Sequence, residues 1–109
     1  MNIDFTQKGT IQFIHIKSDI DLYNADRLKK TALELIEKKP EITHVCLDMG
    51  GVTFIDSSGM GILIMMFKSI KKCGKMFSFC NIMPNVDRLF EMGQVKDLFL
   101  IFNSIDDVH

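Results

Sequence analysis

The chain has 109 residues, of which 47% are apolar and 25% charged, a composition typical of one soluble globular domain with a single core. Its formal net charge of −1 offers no positive excess for nucleic acid or an anionic membrane, so any role in transcription is expected to be indirect. The N-terminus shows no signal peptide, and the longest apolar run, residues 62–67, is far shorter than the roughly 20 residues of a membrane span. We therefore expect a cytoplasmic protein with no membrane insertion.

The first 40 residues predict a β-hairpin followed by a helix. Residues 2–17 alternate apolar and polar positions on both sides of a turn at Lys8-Gly9. The apolar phase slips by one residue between Phe13 and Ile14, which indicates either a bulge or a strand buried on both faces. A polar connection then leads to a helix for which Asn24 is the expected N-cap, and a Lys-Lys-Pro sequence at 38–40 ends it.

The remainder of the chain predicts alternating strands and helices. Residues 43–49 are almost continuously apolar, which is typical of a central parallel strand covered on both faces. Further helices are predicted over about 58–73 and 83–93, with strands at 75–81 and 98–102 and a final short helix capped by Ser104. The predicted fold is α/β, with an N-terminal β-hairpin joined to a mixed, largely parallel sheet of about five strands, covered by three helices plus a short C-terminal helix.

The helix after residue 56 is the most informative segment. Asp56, Ser57 and Ser58 can each cap it, so one is needed and the other two are spare. Helical periodicity separates the positions that follow into two faces. The inner face is expected to carry Gly59, Leu63, Met66, Phe67 and Ile70, with Cys73 at its margin. The outer face is expected to carry Gly61, Met65, Lys68 and Lys72, with Ile64 at its border. A partner protein could dock on this outer face, although a plain capped helix start is the alternative interpretation.

The residues at the predicted carboxyl ends of the strands limit the kinds of chemical site that this edge can form. Asp19, Asp21 and Asp56 could hold a metal ion if they converge. A serine hydrolase is disfavoured because Ser57 lacks a Gly-x-Ser-x-Gly elbow and no histidine is placed to serve it. The glycines do not form a phosphate-binding loop, and an aspartate-phosphorylated receiver domain would not open with a hairpin. We therefore expect no catalytic residue, no cofactor and no metal.

The three cysteines show no paired spacing. Cys46, Cys73 and Cys80 form no Cys-x-x-Cys pair, and any disulfide would leave one of them over. Cys46 and Cys80 fall in apolar, strand-like segments and are expected to be small buried side chains.

Two segments, HVCLDMGGVTFIDSSGMGILI and FSFCNIMPNVDRLFEMGQVKDLFLIFNSIDD, resemble the STAS family, specifically its single-domain bacterial anti-sigma factor antagonists (anti-anti-sigma factors). The resemblance covers nearly the whole chain and predicts one STAS domain over residues 1–109. Its most specific element is Asp-Ser-Ser-Gly-x-Gly before an apolar helix, and Asp21 matches the aspartate of the family's Gly-Glu-Leu-Asp turn. Two departures are the Ser-Asp-Ile-Asp sequence at 18–21, which lacks the Gly and Glu of that turn, and a last helix that is cut short.

The resemblance implies a phosphorylation switch without catalysis by the protein itself. Ser57 would be the acceptor, an anti-sigma factor that is also a serine kinase would be the partner, and a metal-dependent serine phosphatase would reset the switch. The unphosphorylated form would bind the partner and release the sigma factor. The expected partner surface comprises Asp21, Asp56, Ser58, Gly61, Ile64, Met65 and Lys68. The alternative within the family is a scaffold or subunit of a transport or lipid-trafficking assembly, in which Ser57 only caps.

Overall fold

Strands and helices alternate along the chain after an N-terminal hairpin, as predicted. The computed structural model describes residues 2–109. Its elements are β1 (Ile3–Lys8), β2 (Ile11–Ile16), α1 (Leu22–Lys38), β3 (His44–Asp48), α2 (Ser57–Lys72), β4 (Met76–Cys80), α3 (Pro84–Met92) and β5 (Leu100–Phe102). Two single 3₁₀ turns, Lys96–Leu98 and Ile105–Asp107, flank β5.

The five strands form one sheet in the order β1-β2-β3-β4-β5. β1 runs antiparallel to β2, and the remaining neighbours are parallel, which confirms the predicted mixed sheet. The hairpin register runs without interruption from Ile3 opposite Ile16 to Lys8 opposite Ile11, so it contains no bulge. β2 is instead buried on both faces, with Phe13 in one apolar cluster and Ile14 in the other. This explains the phase slip in the sequence.

The main core lies between the sheet and the three helices, and Phe79 of β4 is at its aromatic centre. Its ring centroid lies 5.1 Å from that of Phe77, 5.3 Å from Phe90 and 4.8 Å from Phe99. The tilted and edge-on arrangement of these rings is the one that aromatic pairs favour. Phe79 therefore joins β4 to α3 and to the segment that leads into β5.

The opposite face of the sheet carries a smaller cluster covered by the C-terminal segment. Phe13, Cys46 and Cys80 are buried there under Val108, so the expectation for the two cysteines is confirmed. His44 is buried at the same face, with its Nε2 atom 2.7 Å from Ser78 Oγ. Burial lowers the pKa of His44 because a charged imidazole would lose its hydration there.

Three details of the predicted elements are wrong. The N-cap of α1 is Asp21, whose Oδ1 accepts from the Asn24 backbone N–H at 2.8 Å, so this helix begins two residues before Asn24. β5 has only three residues and lies at the edge of the sheet, and the buried aromatic is Phe99 just before it. The predicted short C-terminal helix is present as a single 3₁₀ turn, but the Ser104 hydroxyl donates to the Asp107 carboxylate and caps no backbone group, so the predicted cap is wrong.

Candidate functional site

Two loops meet at the carboxyl end of the sheet through one short backbone bridge. Ile20, just before α1, donates its N–H to the Phe54 carbonyl at 3.1 Å and accepts from the Asp56 N–H at 3.1 Å. Ile20 and Ile55 are thereby paired in parallel. Asp21 and Asp56 each follow this pair by one residue, and they are the N-caps of α1 and α2. The bridge therefore brings the starts of both helices to the same edge.

Asp19 fastens the same two loops from the side. Its Oδ1 accepts from Thr53 N at 2.9 Å, Thr53 Oγ1 at 2.9 Å and Phe54 N at 3.1 Å. The hydrogen bond from the Thr53 backbone, with the one from the Thr53 hydroxyl, holds the pKa of Asp19 below its usual value. Asp19 is thus a loop anchor, a role that the sequence analysis did not assign to it.

Two glycines permit the close approach of these loops. A Cβ atom on Gly51 would lie 2.7 Å from the Ile16 carbonyl oxygen and 2.7 Å from Lys17 Cα, and both are backbone atoms that cannot easily move. A Cβ on Gly59 would lie 3.0 Å from the Ile20 carbonyl oxygen. The predicted inward position of Gly59 is therefore confirmed, and the side that it faces is the Ile20 bridge.

The first turn of α2 leaves two serines unused. Asp56 is the N-cap, and its Oδ1 accepts from the Gly59 N–H at 2.6 Å. Because one cap is sufficient, the hydroxyls of Ser57 and Ser58 are not needed to begin the helix. Both residues are exposed. Ser57 is thus an accessible hydroxyl at the positive end of a 16-residue helix.

The two faces of α2 are those predicted from its periodicity. Gly59, Leu63, Met66 and Ile70 are buried, and Phe67 is partly buried against the same core. On the outer face, Gly61, Met65, Lys68 and Lys72 are exposed, and the side chain of Met65 is 49% exposed. Ile64 is only half-buried and also packs against the core, so it offers a partner less surface than Met65. Cys73 is exposed.

An apolar cleft between α2 and α3 has Ser57 in its wall. Its volume is about 270 Å³, and its lining residues are Ile55, Asp56, Ser57, Met60, Leu89, Met92 and Gly93. Met92 is 72% exposed, which is unusual for so large an apolar side chain. The sequence analysis missed this cleft, although the spacing of Leu89 and Met92 already placed them on the same side of α3.

The loop before α2 and the first turn of α1 expose further apolar side chains that the sequence analysis also missed. Phe54 is 48% exposed immediately before the Ile20 bridge, and Tyr23 is 77% exposed in the first turn of α1. Leu22, next to Asp21, is 43% exposed. Together with Met65 and Met92, these residues give the edge around Ser57 an apolar character, which is a common property of protein-binding surfaces.

The acidic residues of this edge serve as loop anchors and helix caps. Asp19 binds the Thr53 segment, Asp21 caps α1, and Asp56 caps α2. Within residues 2–109, no group of three or more His, Cys, Asp or Glu side chains is arranged to hold a metal ion. His15 bonds with Thr6 and Asp48, and His44 with Ser78, so both imidazoles are engaged elsewhere in the sheet. Over the same residues, no helix combines the length and apolarity needed to cross a bilayer.

The matched region identifies the family. The STAS domain profile matches residues 2–108. The chain belongs to the STAS domain family. The Anti-sigma-B factor antagonist of Bacillus subtilis (strain 168) is 30% identical over 98 residues, which cover 90% of this chain and 87% of that protein.

Solved structures of other proteins share this fold. The crystal structure of an anti-sigma factor antagonist from Mycobacterium paratuberculosis has a TM-score of 0.81 at 17% identity, covering 97% of this chain and 88% of that one. The Bacillus cell fate determinant SpoIIAA in its phosphorylated form has a TM-score of 0.67 at 11% identity, covering 96% and 95%. The predicted STAS-type α/β fold is therefore confirmed.

One prediction concerns the Asp19 anchor in this STAS domain. Since the folded state lowers the pKa of Asp19, its stabilising effect is complete above about pH 4 and is lost as the pH falls through the folded pKa. We expect Asp19→Asn to lower the free energy of unfolding by about 1 kcal/mol at pH 7 and by less at pH 3, which is below the pKa of an unfolded aspartate. Urea unfolding at both pH values measures this difference.

The matched control is Asp26→Asn, which removes an exposed carboxylate that pairs only with Lys30 on the same helix. It should change stability by a few tenths of a kcal/mol at most. An equal loss for Asp19→Asn at both pH values would contradict the role of its charge.

Proposed function

We propose that this protein is an anti-sigma factor antagonist whose binding to its anti-sigma factor is switched off by phosphorylation of Ser57. The partner is an anti-sigma factor that is also a serine kinase, and the unphosphorylated protein binds it and releases the sigma factor. The observation that carries the proposal is the position of Ser57, which is exposed, free of the cap that Asp56 provides, and in the wall of an apolar cleft. The relatives named above support the anti-sigma factor as the partner.

The fold can carry a phosphate at Ser57. Phosphorylation adds about −1.5 to −2 charges near neutral pH. The first turn of α2 presents unpaired backbone N–H groups and the positive end of the helix dipole, which stabilise an anion. Since Ser57 is exposed, the phosphate would remain in water and would displace no core side chain. SpoIIAA, which has the same fold, is known in a phosphorylated form, which supports this step.

The same phosphate would oppose docking. A partner that covers Ser57 would also cover the adjacent Asp56 and the apolar side chains of Met60 and Met92. It would have to remove the hydration of a doubly negative group against an apolar surface, which is costly unless a cation is placed to pair with it. The switch therefore acts on the interface, and a metal-dependent serine phosphatase restores binding by removing the charge.

The proposed partner surface combines predicted residues with those that the structure adds. The predicted residues are Asp21, Asp56, Ser58, Gly61, Ile64, Met65 and Lys68. The added residues are Phe54 on the loop before α2, Tyr23 in the first turn of α1, and Leu89 and Met92 at the cleft. Asp21 and Asp56 also cap the two helices, so their substitution would disturb the surface as well as remove a charge.

The protein acts by binding and is not itself an enzyme. The geometry around Ser57 provides an acceptor for a phosphoryl group that the partner supplies from its own ATP. The proposed site of this exchange is the cytoplasm, where sigma factors act.

Incubation with the cognate kinase and radiolabelled ATP tests the assignment. Wild type should incorporate close to one phosphate per chain, and Ser57→Ala should incorporate none because the acceptor oxygen is absent. Ser58→Ala is the matched control, since it removes the neighbouring exposed hydroxyl and should leave Ser57 available. Equal labelling of wild type and Ser57→Ala would remove Ser57 as the acceptor.

A further inference from the structure

A second surface site lies at the opposite end of α2 from Ser57. It is a groove of about 240 Å³ lined by Phe67, Lys71, Lys75, Met76, Phe77, Leu98 and Leu100. We propose that this groove binds a single-chain anionic amphiphile, with an aliphatic chain on the apolar floor and a carboxylate or similar head between the two lysines. The proposal is independent of the function assigned to Ser57.

The floor of the groove is apolar and remains accessible. Phe67 and Phe77 form its base with their ring centroids 6.3 Å apart, and Phe77 is buried beneath the surface. Met76, Leu98 and Leu100 form its sides and are each more than 40% exposed. Three large apolar side chains, from β4, β5 and the 3₁₀ turn before β5, are thus exposed to water. Burying them under a bound apolar ligand would be favourable.

The rim of the groove is cationic. Lys71 places its Nζ atom 5.3 Å from the ring centroid of Phe67, and Lys75 donates from Nζ to the Pro40 carbonyl oxygen at 3.0 Å. Both ammonium groups are therefore held beside the apolar floor, and neither forms an ion pair with a carboxylate of residues 2–109. The result is a positive rim on an apolar base, the complement of an amphiphile with a negative head.

The local sequence adds to this positive character. Residues 57–86 contain four lysines, at positions 68, 71, 72 and 75, and no aspartate or glutamate. Asp97 is the acid next to Leu98, and it lines a different cleft together with Glu91, Gln94 and Lys96. The groove therefore differs in charge from the Ser57 edge, where Asp19, Asp21 and Asp56 gather.

The size of the groove selects the ligand class. Its 240 Å³ lies just below the roughly 300–1,000 Å³ of typical small-molecule sites, so it suits one chain and not the two chains of a phospholipid. Its residues on α2 are Phe67 and Lys71, which follow Ser57 by 10 and 14 residues and so lie about 15–21 Å from it along the helix axis. No residue of the proposed partner surface lines the groove.

Titration with sodium decanoate, below the concentration at which it forms micelles, tests the proposal. We expect saturable binding of one decanoate per chain, with NMR shifts concentrated at the methyl groups of Met76, Leu98 and Leu100. Lys71→Glu combined with Lys75→Glu should weaken binding at least about tenfold, because the head group would then face two like charges. Lys30→Glu is the control for a change of charge on an exposed helix and should leave the affinity unchanged.

Two further comparisons make the test decisive. Leu98→Asp should abolish decanoate binding, and because Leu98 is exposed this variant should fold, as circular dichroism and urea denaturation can verify. Decanol should bind at least about tenfold more weakly than decanoate if the lysines recognise the head. Equal binding of decanol, unchanged binding by the double lysine variant, or shifts at a different surface would overturn the proposal. A synthetic peptide with acidic residues around one phenylalanine serves as the second probe. If this peptide saturates the groove and decanoate does not bind, the occupant is a protein segment and the proposal is also overturned.

Discussion

Ser57→Asp is expected to weaken binding to the anti-sigma factor by roughly 30-fold or more, because a charge left unpaired in a buried interface costs about 2–5 kcal/mol. The carboxylate would stand beside Asp56 at the mouth of the cleft formed by Met60, Leu89 and Met92. The partner would have to strip water from this charge to cover the apolar surface. Calorimetric titration of the purified partner into each variant measures the change.

The control for this prediction is Ser57→Asn, because asparagine has nearly the same size and shape as aspartate but carries no charge. Asparagine should weaken binding much less than aspartate, and Ser57→Ala should bind at least as tightly as wild type and stay bound in the presence of ATP. Equal losses for the asparagine and aspartate variants would mean that bulk, and not charge, governs docking at this position.

Phe79→Ala is expected to lower the free energy of unfolding by about 3–5 kcal/mol, the usual range for removing a fully buried phenylalanine. Phe79 contacts the rings of Phe77, Phe90 and Phe99, so its loss leaves a cavity at the junction of β4, α3 and the segment before β5. Urea denaturation followed by circular dichroism measures the loss.

The same substitution at Phe5 is the matched control. Phe5 lies on the edge strand β1 and is 45% exposed, so Phe5→Ala should cost no more than about 1 kcal/mol. Comparable losses at positions 5 and 79 would contradict the placement of the aromatic centre in the main core.

The periodicity of the sequence was sufficient for the element order and for the orientation of α2. The helical spacing of apolar residues along α2 reflects only which side of the helix contacts the sheet. The burial of Leu63, Met66 and Ile70 confirms the side that the sequence predicts. The strand at 43–49 was equally readable, since burial on both faces of β3 requires an apolar residue at nearly every position. The element order, the buried face of α2 and the burial of β3 each depend on a short stretch of sequence, so the pattern of apolar residues within that stretch is enough to predict them.

Features that depend on contacts between distant segments could not be predicted. The choice of Asp21 over Asn24 as a cap follows from the Ile20–Ile55 bridge, which fixes where the chain can begin α1. The Asp19 anchor joins residues 34 positions apart. The Ser57 cleft likewise needs α3 to lie beside α2, a relation that no pattern within either helix contains. β5 looked buried because its apolar run gives no sign that the sheet ends there.

The most direct test compares the phosphorylated and unphosphorylated protein in two measurements on the same samples, the dissociation constant for the anti-sigma factor and the unfolding temperature. We predict that phosphoserine at position 57 raises the dissociation constant at least about 30-fold, no less than Ser57→Asp does. We also predict that it moves the unfolding temperature by no more than about 5 °C, the shift that roughly 1 kcal/mol produces in a domain of this size. An unchanged dissociation constant, or a loss of binding that accompanies unfolding, would contradict a switch that acts on the interface.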